Sequence, residues 1–298
     1  MKKIDARTKV LMGLVQCYIL GLTMSGAKAA DVLKLRVADS FPPTHYISVQ
    51  ITQWWMDQVK QRTHGGVDFE YFPAEQLGKA KDLLSLTQSG VVDIGYVAPA
   101  FVSEKLPLSA VAELPLNFAN SCQGTEAYYK LATTGIVAKQ EFEPSGVRAL
   151  FTFVLPPYQV FLRKELKLGA ASLVGLKLRT TGGAKELMLR TLGAVPVQIP
   201  SPDVYQALSR GTIDGMLFPY GSIFSYDVQD LVKTASVRSN FGSFVVTYMI
   251  SERKWQSLPS EIRKVDDRSR RGDGTSRLRN RAARRRRQPE QTQKPGTC

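Results

Sequence analysis

Two linked runs constrain this fold most: Gly175-Leu176-Lys177-Leu178-Arg179, and then Tyr205-Gln206-Ala207-Leu208-Ser209-Arg210-Gly211-Thr212-Ile213-Asp214-Gly215. The first alternates apolar and basic residues and predicts a strand ending in arginine. The second predicts a helix that stops on a glycine turn and leads into another strand. Strand, helix and strand in that order form a crossover unit of an α/β domain. An arginine at the carboxyl end of such a strand suits an anion clamp, because guanidinium offers a carboxylate two parallel charge-assisted hydrogen bonds. The plainer alternative is a surface arginine at a strand end.

The same alternation recurs along the chain. Val32–Ala38 predicts a strand, Ile47–Arg62 a helix carrying Trp54, Met56 and Val59, and Val67–Phe72 a strand. Ala80–Ser89 predicts a helix ended by Gly90, and Val91–Val97 a third strand, which together imply a mainly parallel sheet. A second unit begins near Leu155, with strands at Tyr158–Arg163, Leu176–Arg179, Val195–Ile199 and Ile213–Phe218. Phe244–Ile250 is strand-like and is placed to return the chain to the first sheet. The expected lobes are therefore 31–154 plus 240–264, and 155–239, with a ligand cleft between them.

Net charge is a poor guide to partners here. Of the formal +14, residues 1–29 carry +4 and residues 265–298 carry +7, leaving +3 for residues 30–264. The start reads as a signal peptide: Lys2, Lys3, Arg7 and Lys9, an apolar stretch from Val10 to Met24, and an Ala-Lys-Ala site for cleavage after Ala29. An uncleaved anchor is the alternative; Cys17 is a poor lipid-anchor match, because Gln16 precedes it. Of the three cysteines, Cys122 alone lies in the body of the chain and reads as a free thiol. Only two histidines occur, His45 and His64, so neither a histidine-rich metal site nor a cofactor is expected. Neither Gly-x-Ser-x-Gly nor Gly-x-x-x-x-Gly-Lys is present.

Pro73-Ala74-Glu75-Gln76-Leu77-Gly78, Ser89-Gly90-Val91-Val92-Asp93-Ile94-Gly95-Tyr96 and the two opening runs share an order with the solute receptors of TRAP (tripartite ATP-independent periplasmic) transporters. Over roughly Val32 to Lys264 the chain resembles that family. The resemblance implies a type II-like, two-lobed periplasmic binding protein fold and a receptor that performs no bond chemistry. It would capture an organic carboxylate in the periplasm and hand it to membrane permease subunits, acting as a monomer without nucleic acid. It also implies that Arg179 grips the carboxylate.

Two departures bear on the ligand. The stretch Leu155-Pro156-Pro157-Tyr158-Gln159 lacks the further basic residue that receptors of multiply charged acids tend to carry, and after Asp214-Gly215 the chain reads Met216-Leu217-Phe218-Pro219-Tyr220. One clamp with Tyr158, Phe218 and Tyr220 as apolar wall, and Gln159 as a neutral donor, fits a monocarboxylate with an apolar or aromatic body. Ordinary packing between lobes is the alternative for Phe218 and Tyr220. Phe41, His45 and Tyr96 are the contacts expected from the first lobe. A periplasmic enzyme acting on a small organic acid, with Arg179 orienting it, is the second reading; a nucleic-acid-binding tail is the third.

From Val265 the pattern changes. Arg268, Arg270, Arg271, Arg277, Arg279, Arg281 and Arg284–Arg287 crowd a segment without aromatic residues. Such a segment cannot offset chain-ordering entropy and is expected to be a disordered basic tail, or the product of a shifted reading frame.

Overall fold

The structure is a computed structural model and describes residues 32–167 and 169–268. The signal segment and most of the basic tail lie outside the described residues.

Two five-stranded sheets organise the chain. The first, in the order β2-β1-β3-β10-β4, uses β1 (Leu33–Ala38), β2 (Val67–Phe72), β3 (Ile94–Val97), β4 (Val147–Val154) and β10 (Val245–Ser251). The second, in the order β7-β6-β8-β5-β9, uses β5 (Gln159–Leu162), β6 (Lys177–Thr180), β7 (Val195–Gln198), β8 (Gly215–Phe218) and β9 (Thr234–Ala235). The expected parallel pairing holds for β1 with β2 and β3, and for β6 with β7 and β8. The sheets are nevertheless mixed. β10 runs antiparallel to β3 and β4, and β5 runs antiparallel to β8 and β9. These reversed strands are the ones the chain enters on crossing from one sheet to the other.

The two crossings lie side by side. Leu155 N–H bonds Phe244 O at 2.9 Å, and Tyr158 N–H bonds Gly242 O at 2.8 Å. Two backbone segments tied in this way join the two sheets through a paired crossing.

Local sequence explains most boundaries. In β1, Leu35 and Val37 are buried while Lys34 is exposed, the outcome that apolar–basic alternation dictates. Gly90, at φ 85°, ends the Leu83–Ser89 helix in the left-handed conformation. The Ser121–Thr133 helix is capped by Asn120, whose side chain accepts the Gln123 N–H at 2.9 Å. The expected Ile47–Arg62 helix starts as a π-helical stretch over Ser48–Gln53 and becomes α-helical over Trp54–Arg62. The wider turn shifts the helical phase. Trp54 is consequently 57% exposed, and Trp55 instead packs 4.8 Å from the Phe151 ring.

Two further expectations are corrected. Helix Ser260–Arg268 continues past Val265, so the first residues of the supposed tail are helical. Cys122 is disulfide-bonded rather than free.

Candidate functional site

Arg179 occupies the third position of β6, level with Val197 of β7 and Met216 of β8. Parallel strands on both sides bury it completely, at 0% exposure. Three neutral groups fix the guanidinium: Nε donates to Ile199 O at 2.8 Å, Nη1 to Leu217 O at 3.3 Å and Nη2 to Ser201 Oγ at 2.9 Å. Its carbon lies 5.0 Å from the centre of the Phe218 ring. Guanidinium has five N–H donors, so one on each terminal nitrogen remains beyond these three, with the Tyr158 hydroxyl as their neutral neighbour.

Among the described residues no carboxylate pairs with Arg179. Burial pushes its pKa down, opposed chiefly by the adjacent Tyr158 hydroxyl. The other buried cation nearby, Lys185, is matched: Nζ sits 2.8 Å from Glu113 Oε2, both side chains fully buried. Around Arg179, one positive charge is left without an anion among the described residues.

Aromatic rings continue from the clamp across both lobes. Centroids are 6.4 Å apart for Tyr158 and Phe218, 5.5 Å for Phe218 and Tyr226, and 5.3 Å for Tyr226 and His45. Phe41 follows at 4.9 Å from His45, and Tyr96 at 5.1 Å from Phe41. The loop bearing Phe41 is held from below. Ala74 and Glu75, both left-handed at φ 53° and 62°, donate their N–H groups to Phe41 O and Asp39 O at 2.9 and 3.0 Å. That conformation costs an L-residue about 1–2 kcal/mol, so the paired loops over-determine it. Asp39 completes the support by accepting from Tyr248 and Tyr71 hydroxyls at 2.6 and 2.7 Å.

The structure therefore brings together Arg179, Phe218, Tyr158, Phe41, His45 and Tyr96. It does not bring Gln159 or Tyr220 to the clamp. The Gln159 amide is spent on the loop before β10, with Oε1 accepting from Ser236 Oγ at 3.0 Å and Ser239 N–H at 3.2 Å, and Nε2 donating to Ser239 O. Tyr220 is 43% exposed, donates to Ser236 O at 2.6 Å and meets Phe161 edge-on at 5.0 Å. Two participants escaped the sequence reading. Tyr226 has no periodic signal because it follows a helix, Tyr220–Ser225; Ser201 was detectable as the residue just beyond β7, where a crossover site is expected.

His45 links the lobes. Its Nδ1 accepts the Ile47 N–H at 3.1 Å, which leaves the proton on Nε2 to be shared with Ser222 Oγ at 3.3 Å. Burial pushes its pKa down to about 3, and pushes the Asp39 carboxyl up to about 6. Below pH 6.5 the unfolded chain protonates His45 while the folded chain refuses the proton until about pH 3, so stability falls as pH drops across that interval. Asp39 acts oppositely: the folded state protonates first, and stability rises as pH falls from about 6 toward 3.8. His45→Gln should therefore remove about 2 kcal/mol of the acid-induced loss at pH 5, read as a smaller fall in melting temperature between pH 7 and pH 5. An unchanged fall would show that His45 already titrates normally in the folded protein.

Comparison with known proteins places this geometry. The family model for bacterial extracellular solute-binding proteins, family 7, matches residues 38–282. The chain belongs to this family. Family 7 similarity thus runs beyond Lys264, into the segment whose composition changes. A C4-dicarboxylate-binding periplasmic protein of Rhodobacter capsulatus is 26% identical over 262 residues, covering 86% of this chain and 76% of its own length. A TRAP solute binding protein from Rhodoferax ferrireducens in complex with benzoate superposes with a TM-score of 0.73 at 28% identity, covering 80% of this chain and 74% of that one. A marine metagenome TRAP solute binding protein specific for aromatic acid ligands, in complex with metahydroxyphenylacetate, gives a TM-score of 0.74 at 27% identity, covering 79% and 74%. The two-lobed α/β fold is that of TRAP receptors.

Proposed function

We propose that this family 7 protein is a periplasmic TRAP receptor that captures an aromatic monocarboxylate and delivers it to membrane permease subunits. The observation that carries the reading is Arg179: a fully buried cation with three neutral anchors and, among the described residues, no anion. Leaving a charge buried and unmatched costs several kcal/mol, and a ligand carboxylate on the two remaining N–H groups cancels that cost. One unmatched charge suits one carboxylate. A second would enter a site where Lys185 is already committed to Glu113. The rings of Tyr158, Phe218, Phe41 and Tyr96 then offer the ligand body apolar and edge-to-face contacts.

Capture of this kind works through closure. A ligand gripped from one lobe and stacked on rings of the other favours the closed arrangement by its differential affinity for that state. Export agrees with the basic, apolar, Ala-Lys-Ala start of the chain.

The test is a thermal-shift and calorimetric series using benzoate, metahydroxyphenylacetate, mandelate and succinate. A bound acid at a hundred times its Kd adds about 2.7 kcal/mol, or roughly 5–10 °C in a chain of this size. Shifts of that order with the aromatic acids and none with succinate are expected. Preference for succinate would overturn the monocarboxylate reading, and silence from every acid would overturn the receptor reading.

A further inference from the structure

Among the described residues, nothing meets the Tyr226 hydroxyl in full hydrogen-bond geometry. The residue is 8% exposed, and its hydroxyl is buried without a hydrogen-bond partner. Its ring is held in place, 5.5 Å from Phe218 on one side and 5.3 Å from His45 on the other, so the hydroxyl cannot swing out to water without dismantling both contacts. The Ser201 hydroxyl faces it, near enough to pull the Tyr226 pKa down against the effect of burial, and Ser201 Oγ is also the acceptor for Arg179 Nη2 at 2.9 Å. Tyr226 OH and the Nη2 edge of the guanidinium therefore converge on one hydroxyl: Ser201 is committed to Arg179, and Tyr226 feels Ser201 and the Arg179 charge without closing a full hydrogen bond of its own. Burying an orphaned hydroxyl is unfavourable, and in native proteins such a group generally belongs to something that binds.

We propose that Tyr226 is a ligand-positioning residue whose phenolic proton is donated to the carboxylate oxygen held by Nη2 of Arg179. This rests on the carboxylate reading of the clamp. Arg179 alone offers two coplanar donors and leaves the bound group free to tilt about their common edge. A third donor from the neighbouring helix end fixes the tilt, and with it the direction in which the ligand body leaves the clamp. The same ring stands 5.5 Å from Phe218, so one residue sets both the angle of the carboxylate and the space beside that ring for the group attached to it. Because the phenol is neutral at working pH, with burial pushing its pKa further up, it contributes a donor without adding charge. It thus strengthens recognition of a monoanion without inviting a second carboxylate.

Tyr226→Phe deletes the hydroxyl and keeps the ring. Calorimetric titration with benzoate of the intact protein and of this variant is the experiment, with the melting temperature of each measured free of ligand. A loss of about tenfold to a hundredfold in affinity is expected, the range for a hydrogen bond to a charged group. The ligand-free melting temperature should stay level or rise, since an unpaired hydroxyl has been removed. A purely structural hydroxyl would give the reverse pattern: a lowered ligand-free melting temperature with affinity unchanged, and that result overturns the proposal. Equal affinity with equal stability also overturns it, while leaving the receptor reading intact. If the unmodified protein binds neither benzoate nor any other acid of the series, the receptor reading fails and takes this proposal with it.

Discussion

Arg179→Lys should reduce affinity for an aromatic carboxylate by a hundredfold or more while leaving the fold in place. The guanidinium is anchored at three points, to Ile199 O, Leu217 O and Ser201 Oγ, and these bonds hold its plane in one orientation. An ammonium is a point charge with three donors and cannot satisfy those anchors while presenting two parallel bonds outward. Each charge-assisted bond is worth about 1.5–3 kcal/mol, so loss of the paired geometry amounts to roughly 3–5 kcal/mol. The strand should survive, because β6 is secured by backbone pairing to β7 and β8 and by buried Leu178 rather than by the arginine head. Calorimetry on the lysine variant checks this. Affinity within threefold of the unmodified protein would remove Arg179 from the site.

The buried strand-end position of Arg179 was legible in sequence because its context is local. Strand, helix and strand follow one another within about forty residues, and parallel crossover geometry fixes which end of the strand faces the ligand. That Tyr158, Phe218, Phe41 and Tyr96 gather near it was legible for the same reason: each lies on or next to a strand of the crossover pattern. Gln159 failed because its fate depends on residues about eighty positions away. Nothing near β5 shows that Ser236 and Ser239 will consume its amide. Tyr220 failed at a boundary. It lies two residues beyond Phe218, but Pro219 ends the strand and starts a helix, so the alternation that would have put both rings on one face is broken. The mixed sheets were hidden as well, since the direction of β5 and β10 is set by where the chain crosses between lobes. No residue within either strand encodes it.

Lys185 gave no sequence signal, being one basic residue near the start of an ordinary amphipathic helix, yet it makes the other large effect expected here. From the Ala184–Thr191 helix of the second lobe it reaches Glu113 of the first at 2.8 Å, and donates to Ser243 O at 2.7 Å. Glu113 in turn accepts the Val245 N–H at 3.0 Å through its other oxygen, so the pair fastens the returning crossover as well as the two lobes. The ammonium also lies 5.4 Å from the Tyr158 ring and 5.6 Å from that of Phe244. Lys185→Met strands a buried carboxylate and Glu113→Gln a buried ammonium. Each should therefore cost about 3–5 kcal/mol, a large part of a typical margin of about 5–15 kcal/mol. The double variant strands neither charge, and should be less destabilised than the two single costs combined. Urea unfolding of the four proteins reads this directly as a positive coupling energy, provided the denaturant slopes agree. Additive costs would mean that the lobes are held by packing alone. Single costs below about 1 kcal/mol would mean that the pair opens to water in solution, as surface pairs of that strength do.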